Sequence, residues 1–247
     1  MLEKILVIYL ILLLTCSQTF ALSQKSEKKA WERGGFSKVK IYHLNADRFA
    51  TENEVQQFTH KFALTVVLIR ESGWTINLAL ENFQKAYEIF AQCGVKLNKI
   101  KLVIGHAPLK HRVADFGILG IDRFIALNTP PTLHPIVYLM EDTNMYFIET
   151  LNIHNPHMSY AYFEKVKSFP ELVNTTWVSS FINMNSEKRL RAGYNSLAHE
   201  LGHILLNDGH VLEKIPNLMS EYVDLGNNKL TKKQCEKIKN SPLVFPL

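Results

Sequence analysis

The chain has 247 residues, 47% hydrophobic and 21% charged, with a formal charge of +5. That length and balance exclude a disordered, collagenous or cysteine-rich miniature fold and leave room for one domain with a proper core. Lysines gather near both ends (Lys25, Lys28 and Lys29; Lys232, Lys233, Lys237 and Lys239) without interleaved aromatic residues. That pattern reads as solvated faces and argues against a nucleic-acid partner.

Residues 1–21 read as a secretory signal peptide. Lys4 gives a thin positive start, Ile5–Leu14 is an unbroken apolar run, and Thr19-Phe20-Ala21 supplies small residues before the cleavage point. The run is half the length of about twenty residues that a membrane span needs. No second run of spanning length follows, so the mature chain is expected to have no stable membrane insertion and to be secreted or periplasmic. Leu13-Leu14-Thr15-Cys16 resembles a lipid-attachment box, but Thr15 is bulkier than the small residue such a box places before its cysteine, so the lipoprotein reading ranks lower.

Residues 22–60 are expected to form an N-terminal segment, loose and basic over Gln24–Lys40, and 61–247 the catalytic domain. Ala63–Ile69 is a β-branched apolar run and predicts a buried strand. Asn77–Cys93 carries apolar residues near helical spacing and predicts a core-packed helix stopping at Gly94. Lys99–Ile104 reads as the next strand. Gly105–Pro135 is rich in Pro, Gly and Thr and reads as a long loop with short structured pieces, of a kind that often shapes a cleft. Ile136–Met140, Met158–Phe163 and Thr176–Ile182 are strand candidates, the middle one an edge strand. This order predicts an α/β fold with a mixed, mostly parallel sheet. Cys93 and Cys235 are the cysteines left after the leader; in an oxidising compartment they are expected to pair, tying a late helix to an early one.

The late helix carries Ala198-His199-Glu200-Leu201-Gly202-His203. Residues four apart share a helix face, so His199 and His203 can both reach a zinc ion at about 2.0–2.1 Å. Leu197, Leu201 and Ile204 are expected to pack the opposite face on the core. Glu200 lies beside His203, placed to reach a metal-bound water without ligating. With 10 His in the chain, chance yields roughly 0.03 such patterns. Asn207, Asp208 and Gly209 end the helix, Gly209 being able to take a left-handed cap. The chain can then fold back to offer His210, with Asp208 as the competing ligand. His106, His111, His154 and His157 fall in expected loops and are read as surface or supporting residues.

These residues, followed by Asn217-Leu218-Met219-Ser220, resemble the metzincin metallopeptidases, whose pattern is HExxHxxGxxH and then a methionine turn. The resemblance covers residues 198–220. It implies a zincin fold with an active-site helix and a C-terminal helix. It also implies one catalytic zinc held by His199, His203 and His210, Glu200 as general base, and Met219 as the turn methionine. The family's glycine position holds Leu206 and its third-ligand position Gly209, so Gly209 and His210 each come one residue late. A related class uses a distant glutamate instead, which makes Glu213 and Glu221 an alternative third ligand. In similar enzymes an extended peptide lies along an edge strand, which points to Ser159–Phe163 with Tyr160 and Tyr162 as substrate contacts or, equally, as ordinary sheet residues. The expected function is a secreted zinc metalloendopeptidase acting on a peptide or protein substrate. The alternative is a non-catalytic exported binding protein that keeps the fold.

Overall fold

The structure is a computed structural model. It describes residues 24–49, 58–108, 112–116, 121–130, 132–146, 154–156, 159–164, 169–180, 195–212, 215–220 and 228–247. The expected signal peptide lies outside them, as do His111, His157, Glu213 and Glu221.

The centre is a run of β-branched and aliphatic residues that can only be buried on both sides. Strand β2 (His60–Ile69) pairs in parallel with β3 (Val95–His106) on one side and β5 (Ile136–Met140) on the other. Beyond β5, β9 (Thr175–Ser179) is parallel again. Antiparallel strands close both edges: β1 (Ser37–Asn45) on β3 and β8 (Tyr160–Tyr162) on β9. A last short strand, β10 (Phe245–Pro246), pairs with the start of β2. The fold is therefore α/β with a mixed, mostly parallel sheet of seven strands. A second sheet of three strands joins β4 (Val113–Phe116), β6 (Asp142–Tyr146) and β7 (His154–Pro156).

Side chains alternate across a strand, so the sheet buries two faces. Against one face pack α2 (Ile76–Ala91), α4 (Ser196–Leu206) and α5 (Lys232–Lys239). Against the other pack Trp31 from helix α1 (24–33) and Ile125 from α3 (Ile121–Leu127), over Val67, Val103, Tyr138 and Trp177. Thr75 caps α2 by accepting from Leu78 N, and Gly94, at φ 67°, turns the chain into β3.

Two expectations change. Gln24–Lys40 is not loose: it contains α1, whose Trp31 is fully buried edge-on against Phe36, and the start of β1. β1 alternates too weakly to announce itself because Val39 is its one buried residue. Gly105–Pro135 contains β4 and α3, the short structured pieces expected there. Tyr160 and Tyr162 are each 2% exposed and face the layer away from α4. Tyr160 stacks on Trp177, and the Tyr162 hydroxyl donates to buried Asp122. They are core residues, and their side chains are not available to a substrate.

Cys93 and Cys235 form a disulfide that joins the end of α2 to α5 across 142 residues of sequence. Closing so long a loop removes much unfolded-chain entropy, worth about 3–5 kcal/mol in the loop-closure picture.

Candidate metal centre

Helix α4 starts where Asn195, in extended conformation, accepts a hydrogen bond from Ala198 N at 2.7 Å. The same side chain donates to the Asn82 carbonyl of α2 at 3.1 Å, fixing where the helix begins. All eleven residues of α4 are buried. The face opposite the leucines is buried as well: His199, Glu200 and His203 are 4%, 5% and 6% exposed.

The helix ends at Leu206 because Asn207 takes the left-handed conformation, φ 48° and ψ 48°, and returns its N–H to the His203 and Ile204 carbonyls. Asn is the residue besides glycine that tolerates this geometry best. The cap was expected at Gly209, which has no positive φ. Capping at Asn207 leaves Asp208 and Gly209 to lead the chain back over the helix. His210 is then anchored from the next residue: Val211 N donates to Met219 O at 2.7 Å, and Val211 bridges Ser220.

Three imidazoles meet at this point. The Nε2 atoms of His199 and His203 are 3.2 Å apart, and each lies 3.1–3.2 Å from His210 Nε2. His199 Nδ1 faces the Leu218 carbonyl at 2.5 Å, and His203 Nδ1 faces the Asp208 carbonyl at 2.8 Å. A carbonyl oxygen only accepts, so both Nδ1 atoms must donate. When neutral, the two rings then have no proton on Nε2 and aim bare lone pairs at the same point.

Burial and the positive potential of neighbouring imidazoles keep both rings neutral, pushing His199 down to about 3 and His203 to about 4. Lone pairs crowded together in this way repel unless a cation lies between them. A tetrahedral zinc with bonds of about 2.0–2.1 Å needs nitrogen separations of about 3.3 Å. The observed triangle is close to that size. The donors fit a divalent ion, and they are the one such group of His, Cys, Asp or Glu among the described residues. Asp208 contributes its carbonyl to His203 and its carboxylate to Lys237 Nζ at 2.6 Å, so it supports the site and is not a ligand.

Glu200 sits between the two helical histidines in sequence. Among the described residues it has neither hydrogen bond nor ion pair, and burial alone pushes its carboxyl up to about 8. A buried carboxyl without a partner is costly and marks a working group more often than a structural one.

Met219 is fully buried beneath α4. A Cβ on Gly202 would come within 2.5 Å of Met219 Sδ, so only glycine lets the turn approach the helix here. The ring of Phe163, the residue after β8, lies parallel to His203, 5.6 Å between centroids and 9° between planes.

The structure thus brings together His199, His203, His210 and Met219. It separates Tyr160 and Tyr162 from them and pairs His106 with Glu71 elsewhere. His154 lies in β7, in the smaller sheet. Sequence reasoning missed Gly202, Phe163 and the two backbone carbonyls. Gly202 had a signal: a glycine inside a helix costs about 1 kcal/mol relative to alanine, which asks for a packing reason. The carbonyls had none, since any residue has one. No family model matches the chain, and no curated protein matches it.

Proposed function

We propose that the protein is an exported zinc metallopeptidase of metzincin-like kind, with His199, His203 and His210 holding the metal and Glu200 acting as general base. The single observation that carries this reading is the triangle of Nε2 atoms at a helix that also buries the Glu200 carboxyl. The backbone carbonyls of Leu218 and Asp208 fix the histidine tautomers, as supporting partners do in metal sites. Met219 under Gly202 supports the comparison with the family's methionine turn, and the Cys93–Cys235 bridge supports an oxidising, exported setting.

Zinc, when bound, supplies Lewis acidity: it polarises a carbonyl and lowers the pKa of water from about 15.7 to about 7. Glu200 takes a proton from the water that attacks the scissile carbonyl and returns it to the leaving amine. The same carboxyl accepts the proton in the first step and, once protonated, donates it in the second. Phe163 shields His203 on one side and restricts its ring.

The test is a peptide-library or casein digest, with and without chelator, joined to metal analysis. Glu200→Gln should cut hydrolysis by at least 100-fold, the scale of general-base catalysis, while retaining zinc. His199→Ala should lose metal and activity together. A Glu200→Gln protein that cleaves at the wild-type rate would remove the assigned base. Zinc bound without any peptide hydrolysis in the wild type would favour the non-catalytic binding protein.

A further inference from the structure

The carbonyl that orients His199 belongs to a turn, and a turn holds its carbonyls only as firmly as it is itself held. Asn217–Ser220 is closed by Ser220 N donating to Asn217 O at 3.1 Å. Inside it, Asn217 Oδ1 accepts from Met219 N at 2.9 Å. Leu218 N donates to Lys229 O at 2.7 Å, while Leu218 O takes the His199 Nδ1 proton.

The turn's other support comes from α5. Gln234 and Asn217 face one another as two carboxamides joined twice: Asn217 Nδ2 donates to Gln234 Oε1 at 2.9 Å, and Gln234 Nε2 donates to Asn217 Oδ1 at 3.0 Å. Asn217 is 1% exposed and Gln234 half-buried, so the pair of hydrogen bonds is shielded from water on the Asn217 side. Gln234 Oε1 also accepts from Thr231 N at 2.8 Å, completing the capping box of α5. The adjacent residue, Cys235, is bridged to Cys93. Gln234 therefore projects from a helix whose place is covalently fixed.

We infer that Gln234 is a positioning residue of the metal centre, acting through Asn217 and the Leu218 carbonyl to hold His199 with its Nε2 toward the metal. The inference rests on the proposed metal site for its consequence and on hydrogen bonds alone for its geometry. Asn217 cannot compensate by flipping its amide, because the flip would set an NH2 against Met219 N–H. The C-terminal helix is then part of the site, though none of its side chains reaches the metal.

Gln234→Glu separates this role from simple capping. Glutamate serves a capping box as well as glutamine does, so α5 keeps its start. The lost donor places a carboxylate oxygen against Asn217 Oδ1. In the full mature chain labelled with 15N-histidine and stripped of metal, the His199 Nδ1–H is expected to be protected from exchange with water in the wild type. Exchange should quicken in Gln234→Glu. The zinc Kd, read by competition with a chromophoric chelator, should rise about tenfold, while the melting temperature of the metal-free protein stays with the wild type. Asn217→Asp makes the same break from the other partner and keeps the experiment decisive if the first variant folds poorly. A Nδ1–H as protected in both variants as in the wild type would overturn the inference. A wild type that takes up no zinc would sink the proposed function, while the exchange measurement would still decide the positioning role.

Discussion

Helices α2 and α4 lie side by side on the same face of the sheet and obey different rules. α2 buries one stripe (Ala79, Phe83, Ala86, Tyr87, Ile89 and Phe90, with Asn82) and leaves the other side to water. α4 buries every residue, among them two histidines and a glutamate. In α2, burial and stability point the same way, because each apolar side chain removed from water is worth about 1.5–3 kcal/mol. In α4 they oppose one another. The leucines favour the fold, while the ionisable residues sit where their charged forms are penalised. A helix that accepts this cost has a task that only those residues perform.

The comparison is sharpest when one substitution in each helix moves stability in opposite directions. Phe83→Ala in α2 leaves a cavity at a fully buried site and should cost about 3–5 kcal/mol in urea unfolding. The folded fraction should bind zinc as before. A smaller loss, within 1 kcal/mol or so, would mean that this layer collapses around the gap.

Glu200→Gln should do the reverse in the metal-free protein. Burial raises the folded carboxyl from 4.5 to about 8. A raised carboxyl contributes stability that is fully present below pH 4.5 and is lost as the pH climbs to about 8. At pH 7 the wild type has therefore given up about 3 kcal/mol, which the neutral amide never risks. The variant should be more stable by that order at pH 7 and by little at pH 4.5. His199 and His203 have the opposite sign: their lowered values give stability that is present above pH 6.5 and lost as the pH falls toward 4 and 3. Both proteins should share that acid loss. Unfolding curves at several pH values read all of this, and parallel pH profiles for the two would show that Glu200 is ionised in the fold.

Much of α2's side of the comparison was legible in the sequence. The β-branched run of β2, the helical spacing after it and the Gly94 stop rest on local patterns that tertiary structure kept, and the Cys93–Cys235 pair on there being two cysteines after the leader. The metal centre was legible in part. His199 and His203 were readable because spacing on a helix is a local property, and His210 because the helix-ending residues before it let the chain fold back. What surrounds them was misread for one physical reason. Periodicity assumes that polar residues seek water, and α4 hides its polar residues inside the protein. β1 was hard to see for another reason: it buries only Val39, so it carries too little apolar alternation to mark a strand. Periodicity also left Tyr160 and Tyr162 open between substrate contact and the sheet, although the Tyr162 hydroxyl has buried Asp122 as its partner on the far side. Backbone carbonyls that choose a tautomer leave no trace in any residue's identity.

The smallest effect tests the contact that joins the two kinds of burial. In an ordinary helix interior, glycine to alanine gains up to about 1 kcal/mol. At Gly202 the new methyl would meet Met219 Sδ at 2.5 Å and Leu218 Cδ2 at 3.5 Å. Met219 is fully buried and has no solvent to retreat into. The Met219 side chain is pressed against the turn that carries it, and a shift of that turn takes with it the Leu218 carbonyl that holds His199. Gly202→Ala should therefore lose about 1–3 kcal/mol by overpacking and weaken zinc in the same variant. The two losses have one cause, so they should appear together in denaturant unfolding and in chelator competition. Weakened zinc at undiminished stability would mean that the turn shifts freely under the helix. Lost stability at unchanged affinity would mean that His199 keeps its orientation without Leu218.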